Sequence, residues 1–92
     1  MSSMKAVTVL GSTGSVGTNT LAVIDSERDK FSVFALVANQ NITLLAEQCA
    51  RFKPRYVVVR EESFVPDLIR KLNDHLVQTE ILSGIEGIHF VT

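Results

Sequence analysis

Three observations predict an α/β chain built on a doubly wound parallel sheet. Short apolar runs rich in β-branched residues recur along the 92 residues. Between them, apolar residues recur at the three- and four-residue spacing of amphipathic helices. The connections are short, so strands joined through helices lie parallel, with helices on both faces of the sheet.

Each element follows from its residues. Ala6-Val7-Thr8-Val9-Leu10 is short, β-branched and closed by glycine, which reads as a buried strand. Beyond a glycine-rich turn, Gly17, Leu21 and Ile24 stand at i, i+4 and i+7, one face of a helix running to about Ser26. Glu27-Arg28-Asp29-Lys30 is a charged connection, and Phe31–Ala38 is a second, nearly continuous apolar strand. Ile42, Leu45, Ala46, Cys49 and Phe52 form the most regular helical face, which Pro54 stops. Tyr56-Val57-Val58-Val59 consists of strong strand formers. Val65, Leu68, Ile69, Leu72 and Leu76 mark a third helix, with Pro66 tolerated in its first turn. Thr79–Leu82 is a fourth strand, and Ser83-Gly84 opens a helical or irregular segment.

The resulting order is β-α-β-α-β-α-β, without repeats, linkers or low-complexity stretches. It ends on Ile88-His89-Phe90-Val91-Thr92, an apolar run with no cap. Residues 1–92 are therefore expected to be a piece of a longer protein. Alone, such a piece is expected to be marginal or to self-associate, because sheet edges and helix faces lie uncovered.

Composition narrows the function. At 46% hydrophobic and 21% charged residues the chain is an ordinary globular domain. A net charge of -1 provides no electrostatic footprint for nucleic acid or anionic lipid. No apolar run approaches the roughly 20 residues of a membrane span. Met1-Ser2-Ser3-Met4-Lys5 does not open a signal peptide. Cys49 is the single cysteine, so no internal disulfide forms, which suits a reducing cytoplasm.

The chemistry concentrates in Leu10-Gly11-Ser12-Thr13-Gly14-Ser15-Val16-Gly17, a G-x-x-G-x-x-G turn. Glycines alone also suit a tight turn without a ligand. A strand before and a helix after are the context of a Rossmann-like dinucleotide-binding turn. Gly11 lets the chain turn sharply, Gly14 lets a phosphate approach the backbone, and Gly17 lets the helix pack on the first strand. Free amides over about Thr13–Val16 would face an anion at the helix's positive end. Hydroxyls of Ser12, Thr13 and Ser15 would add donors. No Gly-Lys-Ser/Thr follows, so the turn is not a P-loop.

The second strand bears on the cofactor. NAD sites usually place Asp or Glu about 20 residues beyond the glycines to hold the ribose 2′-hydroxyl. Here the strand ends in Val37-Ala38-Asn39-Gln40-Asn41, with no carboxylate to repel a 2′-phosphate. NADP is favoured over NAD. Asn41 also reads as a helix N-cap.

Other polar residues read as structural. Cys49 lies on an apolar helix face and is a core residue. His75 sits near a helix end, His89 lacks a partner pattern, and no metal-ligand spacing occurs. Glu61 and Glu62 precede a helix, where its dipole favours them. Arg51, Lys53 and Arg55 are expected on a solvated surface. No catalytic residue and no metal ligand is expected within these residues.

Val9-Leu10-Gly11-Ser12-Thr13-Gly14-Ser15-Val16-Gly17-Thr18-Asn19-Thr20-Leu21 resembles the N-terminus of the 1-deoxy-D-xylulose 5-phosphate reductoisomerases. Phe31–Ala38 looks like the family's second strand. Leu45-Ala46-Glu47-Gln48-Cys49 with Phe52-Lys53-Pro54-Arg55-Tyr56-Val57-Val58 looks like its second helix and third strand. Glu80-Ile81-Leu82-Ser83-Gly84 looks like its fourth-strand region, so the likeness covers nearly the whole chain.

The resemblance implies an enzyme that isomerises its substrate and reduces the product with NADPH. That product is 2-C-methyl-D-erythritol 4-phosphate, in non-mevalonate isoprenoid biosynthesis. It also implies Mg²⁺ or Mn²⁺, a homodimer, and that residues 1–92 are an incomplete N-terminal NADPH-binding domain of a larger, multi-domain protein. By matching position, Thr13, Gly14, Ser15 and Val16 would contact the NADPH phosphates. Asn39, Gln40 and Asn41 would lie near the adenosine ribose and 2′-phosphate. Some members carry glycine then lysine where this chain has Asn39 and Gln40, so a cation is lost there. The family's metal carboxylates, asparagine-lysine-glutamate segment and histidine-bearing lid fall beyond residue 92, so the piece alone is expected to be inactive. Two other readings remain: another NADP-dependent oxidoreductase, such as a semialdehyde dehydrogenase or an extended short-chain reductase, and a stand-alone nucleotide-sensing domain.

Overall fold

The computed structural model describes residues 4–92. The elements are β1 (Lys5–Leu10), α1 (Ser15–Ser26), β2 (Phe31–Ala38), α2 (Ile42–Phe52) and β3 (Tyr56–Val59). A single 3-10 turn at Glu62–Phe64 leads into α3 (Val65–Asp74), β4 (Glu80–Ser83) and α4 (Gly84–Val91). The strands form one parallel sheet in the spatial order β1-β2-β3-β4.

Through these four strands the chain winds one way. One face is therefore shared by three crossover helices. There Leu21 and Ile24 of α1, Leu45 and Cys49 of α2, and Leu68 of α3 pack with Leu36 and Val57 of the sheet. Strand residues alternate in direction, so Ala35, Val37 and Val58 face the other way. They pack with Ile88 and Val91 of α4. Helices thus occupy both faces, unevenly. Between Val7 and Thr8 the β1–β2 register shifts, because β2 carries one more residue, Phe34. Its ring meets Tyr56 edge-on with centroids 5.4 Å apart.

Two expectations need correction. The apolar spacing carried the third helix to Leu76, but α3 ends at Asp74 and Leu76 is 91% exposed. Leu76 takes a left-handed φ of 57°, its amide donates to the Asn73 carbonyl, and the Val77 amide donates to that of Leu72. This is a Schellman closure, in which the residue after the turn packs inward. Val77, not Leu76, therefore joins the core. The apolar run Ile88–Val91 is also less exposed than expected. Within α4, Val91 is buried and Ile88 packs on the sheet, leaving Ile85 and Phe90 as the exposed large apolar side chains. Thr8 Oγ1 donates to the Val91 carbonyl at 2.9 Å and ties the end of α4 to β1.

Cys49 is fully buried, as its place on the helix face predicted. Burial pushes its thiol up to about 12. In the unfolded chain a cysteine titrates near about 8.5. Its contribution to stability is thus complete below that value and is lost as pH rises towards about 12. The expected slope is about 1.4 kcal/mol per pH unit on this alkaline limb. Urea denaturation at several pH values should show it in the wild type and not in C49A. Parallel limbs would refute the assignment.

Candidate functional site

The turn between β1 and α1 is held by contacts from three sides. Gly11 has φ +63°, a conformation that strains any L side chain. Its carbonyl accepts from the Gly14 amide at 3.0 Å, and the Gly14 carbonyl accepts from the Thr18 amide at 2.9 Å. The Ser12 amide donates to the Val37 carbonyl of β2 at 3.0 Å. Gln48 of α2 donates from Nε2 to the Ser12 carbonyl at 2.8 Å. Gly17 sits so close to the turn that an added Cβ would lie 2.1 Å from the Gly11 carbonyl oxygen and 2.6 Å from Ser12 Cα. The start of α1 is thus pressed directly onto the end of β1.

What the turn presents to solvent is a helix start with unsatisfied donors. Gly14 is the N-cap in extended conformation, no side chain caps the helix, and no acidic residue lies in its first turn. The amides of Ser15, Val16 and Gly17 have no carbonyl one turn earlier in the helix to bond. Gly14, Ser15 and Val16 are exposed, and Thr13 is half-buried. Such a cradle suits an anion by hydrogen bonding and by the helix dipole. Two details differ from the sequence reading. The Gly14 amide is engaged within the turn. The Ser12 hydroxyl is buried without a partner, leaving Thr13 and Ser15 as the hydroxyls on the outer side.

Asn39, Gln40 and Asn41 follow the end of β2 and are exposed. Parallel strands place this loop and the glycine turn at the same carboxyl-end rim of the sheet. Asn41 is the N-cap of α2, with Oδ1 accepting from the Leu44 amide at 3.2 Å. A cleft of about 100 Å³ opens at the rim, lined by Leu10, Gly11, Ala38, Asn39, Arg60 and Ile88 among others.

Gln48 and Arg60 are the residues the sequence reading missed. Gln48 lies three residues after Leu45 and four before Phe52, so it shares their apolar face; a polar residue there signals a buried bond. Arg60 follows β3, and only strand pairing brings it beside Asn39. Arg51 and Arg28 are exposed, yet they are not free. Both bind Asp25, and the Arg51 hydrogen bond, followed by that of Arg28, holds the Asp25 carboxyl below its usual range. Arg28 also lies over the Phe52 ring, 4.5 Å from its centroid. These contacts link the C-terminal ends of α1 and α2. Among the described residues no three His, Cys, Asp or Glu side chains converge in a metal-binding group. No helix among them is long and apolar enough to cross a membrane.

The family model for 1-deoxy-D-xylulose 5-phosphate reductoisomerase matches residues 7–92. The chain belongs to this family. It is 46% identical over 86 residues to the 1-deoxy-D-xylulose 5-phosphate reductoisomerase of Proteus mirabilis, covering 94% of this chain and 22% of that protein. Against the chloroplastic reductoisomerase of Oryza sativa subsp. japonica it is 46% identical over 84 residues, 91% of this chain and 18% of the relative. The chain thus spans about a fifth of the length of these reductoisomerases. The Zymomonas mobilis reductoisomerase in complex with NADPH superimposes with a TM-score of 0.88 at 32% identity, covering 97% of this chain and 23% of that one. A DOX-P reductoisomerase in complex with NADPH, fosmidomycin and magnesium superimposes with a TM-score of 0.89 at 28% identity, over 96% and 21% of the two chains.

Proposed function

We propose that residues 1–92 are the NADPH-binding portion of a 1-deoxy-D-xylulose 5-phosphate reductoisomerase. The observation that carries this reading is the uncapped start of α1, pressed onto β1 by Gly17 and open to solvent at Gly14–Val16. The amides of Ser15, Val16 and Gly17 hold the NADPH pyrophosphate, with the Thr13 and Ser15 hydroxyls beside them. Asn39, Gln40 and the carboxamide nitrogen of Asn41 face the adenosine ribose and its 2′-phosphate. NADPH supplies the hydride when bound. This chain's own residues bind and orient it; none of them acts on the reacting bonds.

The relatives are several times longer than this chain. The isomerisation and reduction of 1-deoxy-D-xylulose 5-phosphate to 2-C-methyl-D-erythritol 4-phosphate are assigned to the whole protein. So are the Mg²⁺ or Mn²⁺ site and a homodimeric state. The lone free thiol of Cys49 suits a cytoplasmic location.

An NMR titration with NADPH tests the reading. The expected result is saturable shifts of the Thr13–Val16 and Asn39–Asn41 amides. A chain with dispersed, folded amide signals that shows no shift there would refute it.

A further inference from the structure

We infer that Arg60 is the residue that recognises the 2′-phosphate, and so sets the preference for NADPH over NADH. The inference rests on the NADPH-binding reading above. The loop after β2 offers amides alone, Asn39-Gln40-Asn41, and no cation. A phosphate monoester carries up to two negative charges, and neutral donors satisfy it less well than a guanidinium.

Arg60 follows the last residue of β3. Its backbone amide donates to the Ala38 carbonyl at 3.3 Å, which continues the β2–β3 pairing by one residue and sets Arg60 beside Asn39. Both line the cleft at the rim, together with Gly11 of the glycine turn. Arg60 is the basic residue among those lining it. The other arginines are engaged. Arg28 and Arg51 bind Asp25, Arg70 binds Asp67, and Arg55 lies over the Tyr56 ring at 5.7 Å. Among the described residues the Arg60 side chain has no ion pair, although Glu61 and Glu62 follow it in sequence. Its exposed guanidinium is therefore available to an incoming anion, and its planar fork matches two phosphate oxygens at once.

Calorimetric titration of the chain with NADPH and with NADH, for the wild type, R60Q and R60K, tests this. Urea denaturation of each variant serves as the control for folding. The wild type is expected to prefer NADPH. R60Q should weaken NADPH binding by about tenfold or more, the scale of one hydrogen bond between charged groups. It should leave NADH binding within about twofold, and R60K should recover part of the preference. An unchanged NADPH-to-NADH ratio in R60Q overturns the inference and leaves the binding reading standing. Equal weakening of both nucleotides also overturns it, by assigning Arg60 to the pyrophosphate. A folded wild type that binds neither nucleotide overturns the NADPH reading itself, and this inference with it.

Discussion

Replacement of Gly17 by alanine is expected to lower the melting temperature by roughly 15 °C and to abolish NADPH binding. Glycine to alanine inside a helix ordinarily stabilises by about 1 kcal/mol, because alanine loses less backbone freedom on folding. Here the sign reverses. The new Cβ would meet the Gly11 carbonyl oxygen at 2.1 Å and Ser12 Cα at 2.6 Å, and both are backbone atoms with no rotamer to yield. Relief requires α1 to lift from the end of β1. Overpacking of this kind costs about 3 kcal/mol. In a domain of this size each kcal/mol is worth roughly 4–8 °C. The displaced helix start also removes the amides from their cradle. Calorimetric melts of the wild type and G17A decide the matter; a variant melting within a few degrees of the wild type would show that the turn is not packed as described.

Replacement of Gly14 by aspartate should separate stability from binding in the opposite way. Gly14 has φ -83° and ψ 173°, which an aspartate N-cap adopts without strain. Its added Cβ would approach nothing closer than the Gly11 carbonyl oxygen at 3.4 Å. The new carboxylate can accept from the free amides of Val16 or Gly17 and gains from the helix dipole. G14D is therefore expected to melt at or slightly above the wild-type temperature. The same carboxylate occupies the anion cradle with a negative charge, so NADPH affinity should fall by about a hundredfold. That corresponds to about 2.7 kcal/mol, within the range for losing a hydrogen bond to a charged group. Undiminished affinity in a folded G14D would place the nucleotide elsewhere.

Much of this fold is legible in one dimension. The bounds of β2, α2 and β3 read from the sequence coincide with those observed, because each is a dense apolar run or a clean helical face closed by a turn or by Pro54. The glycine turn is legible for the same reason. Its backbone requirements at Gly11 and its contact at Gly17 are settled within seven consecutive residues, Gly11–Gly17. The end of α3 was not legible. Leu76 fits the helical spacing, and only the Schellman closure shows that Val77 carries the apolar contact.

The site divides along the same line. Residue types and spacing alone determined the element order, the glycine turn between β1 and α1, and the absence of a carboxylate after β2. Those features depend on short-range backbone geometry and on periodicity. Tertiary structure alone decided that Ser12 turns its hydroxyl away from solvent, that Gln48 reaches across from α2 to hold the turn, and that Arg60 stands beside Asn39. Each of these depends on how separate elements pack and on the register of parallel strands. Parallel pairing joins residues distant in sequence, and no local pattern in the chain encodes which of them will meet.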